Sequence, residues 1–487
     1  MPVLPSRKFA ADHIALDTPA LPPPVFARLG RPMIFSRTHL LRLLLPLVLA
    51  ALGAGLCALL IPAEMEAVNQ QLIGFPDSDV LAHQARPAIM AALCFLPALA
   101  SLLYAFSGTL DRYIVRQFIG IFFICLTGLI MIWLLVDLGD KISDFRAPDG
   151  VLRSIANFYA TRSPAVLSVM IPYSLLLALL YSLGKLSASR EIIAMIQAGR
   201  SLVRISMPLI LLGVFFSLLC LGLNYHWAPA AEGKADILLA EAGGKPAAAA
   251  SNVLYRNPEN RRLWLIGTFP KDFQSGKPLG EIEITTTRLD MTLESRLRAK
   301  SASWDRNTRK WTFEEPLVGN FKPNEPVVFT TYDSPLTVDS WSETPWQLIK
   351  PGLSAENLGI PDLNSWLHAN ERIGRFADPA PYLTQWHYRW ALPFGCLITV
   401  LLAAPLGVYF SRRGAGGGVF LAVVLSGLML LLTSISVALG ASGTFHPAHA
   451  AWLPNVVFTL LALYLFHRRI SGQPIYLVLR RLLPGGD

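Results

Sequence analysis

Long apolar runs alternate with short charged connections over most of the chain. Eight such runs stand at about 43–63, 87–110, 117–136, 164–184, 205–225, 390–410, 419–440 and 451–466. Each is near the roughly 20 residues that carry a helix across a hydrocarbon layer of about 30 Å, and they are too long for buried strands. Pro46, Pro97, Pro172, Pro208, Pro393 and Pro405 fall inside them, where neighbouring helices of a bundle re-satisfy the freed backbone groups. Residues 226–381 follow another pattern. Short alternating segments at 252–256, 262–267, 281–286 and 310–314 are rich in β-branched and aromatic residues, and turn clusters at 256–260, 305–308 and 322–326 separate them. Antiparallel strands with no helix between them predict a sandwich or an open roll. The pattern leaves open whether its inner face is a closed core or a groove. Residues 1–38, proline-rich and without periodicity, are expected to be disordered, and the first apolar run is too long for a signal peptide.

Composition agrees with a membrane protein. The chain is 53% hydrophobic and 15% charged, against about 25% charged residues in a soluble domain. That excludes a soluble enzyme and a disordered protein. The net charge of +9 is explained by its location. Arg28, Arg31, Arg37 and Arg42, then Arg112 and Arg116, then Lys185, Arg190, Arg200 and Arg204, then Arg412 and Arg413, and finally Arg468, Arg469, Arg480 and Arg481 all fall on one side if both termini are cytoplasmic. The opposite connections hold Glu64, Glu66, Asp77 and Asp79, and then Asp137, Asp140, Lys141, Asp144, Arg146 and Asp149. Region 226–381, on that opposite side, has 18 Lys and Arg against 20 Asp and Glu, so no basic domain exists to bind nucleic acid.

Nucleotide and hydrolase motifs are missing. Gly184-Lys185 is followed by Leu186 and Gly244-Lys245 by Pro246, so neither is a phosphate-binding loop, and no metalloprotease or nucleophile-elbow pattern occurs. Residues 414–418 predict a tight turn between the sixth and seventh runs. His387, His446 and His449 suit interfacial anchoring. The runs hold no mid-depth acid or histidine, which argues against an intramembrane enzyme. Cys57, Cys94, Cys125, Cys220 and Cys396 are scattered through apolar runs, with no disulfide or zinc spacing. Neither a cofactor, a metal nor a catalytic residue is expected.

One loop carries more information. At 186–200, Ser187 or Ser189 is placed to cap a short helix and Gly199 to end it, with Arg190, Glu191 and Arg200 near its ends. Ile192, Met195, Ile196 and Gly199 follow helical spacing and form one apolar stripe. Such a helix either rests on the lipid surface or fits its stripe into a groove on a separate motor protein, with Glu191 pairing to a basic residue there.

Three segments now resemble a known family. Leu110-Asp-Arg-Tyr-Ile-Val-Arg116, the loop Arg190-Glu-Ile-Ile-Ala-Met-Ile-Gln-Ala-Gly199 and Ala450-Ala-Trp-Leu-Pro-Asn455 are similar, in this order and topology, to the LptF/LptG permeases of lipopolysaccharide export. The likeness covers about 110–469 and is closer to LptG. It implies an α-helical polytopic membrane protein with an inserted, all-β, jellyroll-like periplasmic domain and a six-helix core. It also implies a permease subunit of an ABC transporter, not an enzyme. Its partners would be a cytoplasmic LptB-like ATPase dimer, a second, LptF-like permease, periplasmic LptC/LptA-like jellyroll proteins, membrane lipid and the lipopolysaccharide itself. The β domain would shield acyl chains in an open apolar groove, since exposing them costs about 0.8 kcal/mol per CH₂.

Residue by residue, the resemblance assigns ATPase coupling to Arg190, Glu191, Ile192, Met195, Ile196, Ala198 and Gly199. Asp140 matches a family acid. The family's lysine cluster for lipid phosphates falls on Asp137, Ser143 and Asp144, with Lys141 the nearest replacement, so Asp137, Asp140 and Lys141 are the candidate lipid contacts. The expected organisation is a cytoplasmic tail at 1–38, an extra transmembrane hairpin at 39–110, three helices at 111–225, a periplasmic domain at 226–381, three helices at 382–468 and a cytoplasmic tail at 469–487, all in a bacterial inner membrane. The hairpin is absent from the family pattern. The competing reading is a membrane-anchored scaffold or sensor whose β domain binds a protein.

Overall fold

The computed structural model describes residues 37–471 except 73–76, 146–149, 244–247, 258–259, 271–272, 274–275, 291, 306, 323–325, 340, 372–377 and 409–414. The tail expected to be disordered and most of the C-terminal tail lie outside the described residues. Helices α1 (Arg37–Gln71) and α2 (Asp77–Phe106) form the extra hairpin. Helices α3 (Thr109–Lys141), α4 (Val151–Ala188), the short α5 (Glu191–Gln197), α6 (Leu202–Tyr225) and α7 (Trp227–Ala242) lead to the strands. After them come α8 (Pro345–Ile349), α9 (Ile360–Glu371), α10 (Ala380–Ala391), α11 (Phe394–Gly407), α12 (Ala415–Ala441) and α13 (Pro447–Ile470).

Seven described helices are long and apolar enough to cross a membrane, and α10 with α11 makes an eighth if the pair is one span. The pair is bent by 49° at Pro393, the one proline of the six that sits between helices rather than within one. Taken as one span, the pair begins ten residues earlier than the apolar run suggests and is broken. Residues 415–418 open α12 rather than forming a turn. The bundle core is built from α3, α4, α5, α6, α11, α12 and α13, with Phe118, Phe122, Leu175, Leu183, Leu209 and Val400 buried. On its outer surface α1 and α3 expose Leu47, Leu59, Ile124 and Ile132, as helices in contact with lipid do.

Helix α4 has 38 residues, about 57 Å at 1.5 Å per residue, so it overshoots the hydrocarbon layer. Its first turns pack against α7 around Phe145, Phe158 and Ala235. No described helix interrupts the strands, but α7 before them and α8 and α9 after them lie within 226–381.

Strands β1 (Ala248–Asn257), β2 (Arg262–Pro270), β3 (Leu279–Thr287), β4 (Leu293–Asp305), β5 (Lys310–Glu314), β6 (Leu317–Asn320), β7 (Val328–Thr331) and β8 (Leu336–Val338) form one antiparallel sheet ordered β1-β2-β3-β4-β5-β8. It forks at β4. One edge of β4 pairs with β3, and the other pairs with β6 through 295–298 and with β5 through 301–305. This is the open-roll alternative, a single sheet and not two. Its inner face is filled. Trp264, Ile266, Phe269, Trp311 and Phe313 are fully buried, and Leu348 and Ile349 of α8 close over them. The indoles of Trp264 and Trp311 stand 5.1 Å apart and that of Trp341 is 5.4 Å from Trp264. The open groove implied by the resemblance is therefore occupied by the chain's own aromatic side chains.

Candidate functional site

At one end of the bundle, α4 turns into α5 through Ser189 and Arg190, with Arg190 in the left-handed region at φ 62°. Neither expected serine caps α5. Ser187 is buried and donates to the Gly407 carbonyl, and Ser189 donates to Glu191 Oε1 at 2.8 Å. Gly199 does end the helix. Its φ of 84° places the Arg200 N–H on the Met195 carbonyl (3.1 Å) and its own N–H on that of Ile196 (2.9 Å), a Schellman closure that favours glycine at this position.

The apolar stripe points inward. Ile192 and Met195 are buried in the bundle core and Ile196 packs against it. Ile192 and Met195 seat the helix and are covered by this chain, and Ile196 is half-buried beside them. The exposed face holds Arg190, Ala194, Gln197, Ala198 and Gly199, with Glu191 half-buried at its edge. One contact ties this loop to the start of α3, and a second ties the start of α6 to it. The Tyr113 hydroxyl donates to Glu191 Oε2 at 2.8 Å, and Arg204 Nη2 lies 3.0 Å from Asp111 Oδ2. Asp111 sits in the first turn of α3, where the helix dipole favours an acid. Sequence reasoning missed Tyr113, Asp111 and Arg204 as members of this site. The available signal was that the segments at 110–116 and 190–199 carry the same resemblance.

At the opposite end, Asp137 and Lys141 come together and Asp140 does not join them. Lys141 Nζ is 3.0 Å from Asp137 Oδ1, Tyr159 donates to Asp137 Oδ2 at 3.0 Å, and Arg162 Nη1 donates to Asp137 at 2.9 Å. Arg162 also reaches Glu232 of α7 at 2.7 Å and lies over the Trp133 ring at 5.3 Å. Asp140 is exposed and makes none of these contacts. Arg162, which sequence reasoning did not single out, is the centre of the network and joins α3, α4 and α7. Asp236, exposed on the same face of α7, has its carboxyl raised above the ordinary range by partial desolvation and then by the charge of Glu232, which Arg162 and Lys141 partly offset. Lys141 and Arg162 are thus neutralised by the chain's own carboxylates, which leaves little free positive charge for a lipid phosphate.

No curated protein sequence matches the chain. Residues 112–468 match the model of the lipopolysaccharide export system permease family LptF/LptG. The match covers most of the chain, runs from the first turn of α3 to the last turn of α13, takes in both ends of the bundle described above, and leaves α1 and α2 outside. The chain is therefore a multi-pass membrane protein that belongs to the LptF/LptG family of lipopolysaccharide export permeases.

Proposed function

We propose that this chain is the LptG-like half of an ABC exporter that draws lipopolysaccharide from the inner membrane and passes it through its sheet domain toward a periplasmic jellyroll bridge. The contact between Tyr113 and Glu191 carries this reading, because it couples α5 to the start of a membrane-crossing helix. An LptB-like ATPase dimer docks on the exposed face of α5, so that a push on Glu191 is passed through Tyr113 to α3. Arg190, Ala198 and Gly199 belong to the docking face, while Ile192, Met195 and Ile196 fix α5 to the bundle. An LptF-like permease supplies the other wall of the lipid path. The distribution of Lys and Arg supports cytoplasmic termini and a periplasmic sheet domain. Lipid entry into that domain requires displacement of the indoles on its inner face, with half-buried Trp341 at the rim. LptC/LptA-like proteins receive the lipid beyond it.

A protein-binding scaffold is the second reading, and the filled inner face of the sheet favours it. Co-purification separates the two. Tagged chain expressed with its genomic neighbours should bring down a soluble ATPase, and Glu191→Lys should abolish this while membrane insertion stays intact. Undiminished recovery of the ATPase with Glu191→Lys rejects the coupling role of α5.

A further inference from the structure

The hairpin α1–α2 lies outside the family match, yet its inner end carries a buried polar chain too elaborate for an anchor. The bundle connects to the sheet domain by two links, an outgoing one where α6 passes into α7 at 225–227 and a returning one that enters α9 at 359–362. The links touch. A Cβ on Gly359 would lie 2.7 Å from the Tyr225 carbonyl oxygen and 2.8 Å from His226 Cα, so the crossing accepts only glycine there. His226 Nδ1 is 3.4 Å from Asp362 Oδ2 across it.

The hairpin grips both links at this crossing. From α1, Gln71 donates to Asp362 Oδ1 at 3.0 Å and Glu64 Oε2 accepts from the Trp227 indole at 3.4 Å. From α2, Arg86 donates to Gln71 Oε1 at 2.7 Å and pairs with Glu64 at 2.5 Å. The Tyr225 hydroxyl donates to the Ala82 carbonyl at 2.8 Å, and His83 Nε2 lies 3.2 Å from the Ser365 hydroxyl. Arg86 is 4% exposed and His83 is fully buried. Below this polar layer, Leu93 of α2 packs on Gly222 of α6.

Burying an arginine and a carboxylate is costly unless each group finds its partners. Arg86 pairs within the hairpin, with Gln71 and Glu64, but these two in turn meet Asp362 and Trp227 of the links, so the polar chain is complete only when the links are in place. Anchorage in lipid would need none of it. We propose that the hairpin is a fixed brace on the stalk of the sheet domain, with Arg86 and Gln71 as positioning residues. It holds the domain's base in register with the bundle so that lipid leaving the bundle meets the sheet at a constant place. The stalk geometry stands alone, and its value to transport rests on the export reading above.

The test uses full-length Arg86→Ala, Gln71→Ala and the conservative Arg86→Lys. Amide hydrogen exchange at 227–242 and 360–371 should quicken about tenfold or more in the alanine variants, with the strands at 248–338 unchanged. In the assembled transporter ATP hydrolysis should persist while lipopolysaccharide capture at the sheet domain falls about tenfold, and Arg86→Lys should recover part of both effects. Unchanged exchange in the two links overturns the brace. ATP hydrolysis and capture falling in parallel overturns the positioning role. A wild-type assembly that captures no lipopolysaccharide rejects the export reading, and the exchange result still decides the brace. A second variant, His83→Cys with Ser365→Cys, ties α2 to α9 through a short bifunctional methanethiosulfonate, since the histidine ring that reaches Ser365 holds the two Cβ atoms too far apart for a direct disulfide. Capture should survive crosslinking, and capture lost on crosslinking and restored by reductant shows that the seat must open, which overturns a fixed brace.

Discussion

The Tyr113 hydroxyl donates to Glu191 Oε2 at 2.8 Å across 78 residues of sequence. This contact joins the first turns of a membrane-crossing helix to the first residue of α5. With the pair of Arg204 and Asp111 beside it, it makes the loop at 186–200 part of the bundle rather than an appendage of it. Tyr113→Phe removes one hydrogen bond to a charged but partly exposed group, a loss of about 0.5–1.5 kcal/mol. We expect ATPase recovery in co-purification to fall by no more than about tenfold, whereas Glu191→Lys removes it.

The two faces of α5 should respond differently. Ile192→Ala and Met195→Ala empty buried positions in the core and should cost about 2–4 kcal/mol of stability, read as a lower melting temperature in detergent. Ala194→Asp and Gln197→Ala alter only the exposed face. They should leave the melting temperature unchanged, and Ala194→Asp should lower ATPase recovery. The reverse pattern would mean that the stripe faces the partner.

Much of this was legible in the sequence, and what was not has physical reasons. The segment 310–314 is β5 to the residue, because strict alternation of Trp311 and Phe313 with polar neighbours leaves a strand only one way to face a core. The start of α4 was hidden because Arg153, Ser154, Asn157 and Arg162 end the apolar run, although the helix continues beyond the lipid against α7. The sequence of α7, with six alanines in sixteen residues, carries a propensity signal that the neighbouring strand pattern masked. The direction of the α5 stripe was beyond reach, since periodicity shows that a helix has an apolar face and not what covers it. The pairing of Tyr113 with Glu191 is a tertiary contact between two polar side chains, and such contacts leave no periodic trace.

In the sheet domain, Glu343 is buried and accepts from Asn257 at 2.8 Å. Arg262 Nε lies 3.4 Å from it, and the same guanidinium covers the Trp341 ring at 4.6 Å. Burial lowers the Arg262 pKa, an effect that the charge of Glu343 partly offsets. Glu343→Ala leaves Arg262 buried without its counter-charge and should destabilise the domain by about 3–5 kcal/mol. Increased protease sensitivity of 248–338 in the intact chain is the readout.

Two carboxylates outside the membrane should titrate in opposite senses. Burial raises Glu283, but hydrogen bonds and charge from Arg296 and Arg298 outweigh it and hold its pKa below the usual 4.5. Its contribution to stability is present above the unfolded value and is lost as pH falls through the folded one. For Asp236, raised by partial desolvation and by Glu232, the contribution is complete below the unfolded value of 3.8 and is lost as pH rises through the folded one. Glu283→Gln should therefore lower the melting temperature near neutral pH and flatten its acid limb, and Asp236→Asn should raise the melting temperature near neutral pH. Thermal unfolding followed across pH checks both signs.

Photocrosslinking at the rim of the sheet domain tests the export reading most directly. A photoreactive residue replaces Trp341 in proteoliposomes that hold this chain, its mate permease, the ATPase and lipopolysaccharide. A lipopolysaccharide adduct on the sheet domain should form only when ATP is hydrolysed, and Glu191→Lys should abolish it. An adduct that forms equally without ATP, or one that contains only protein, would contradict a permease driven through α5.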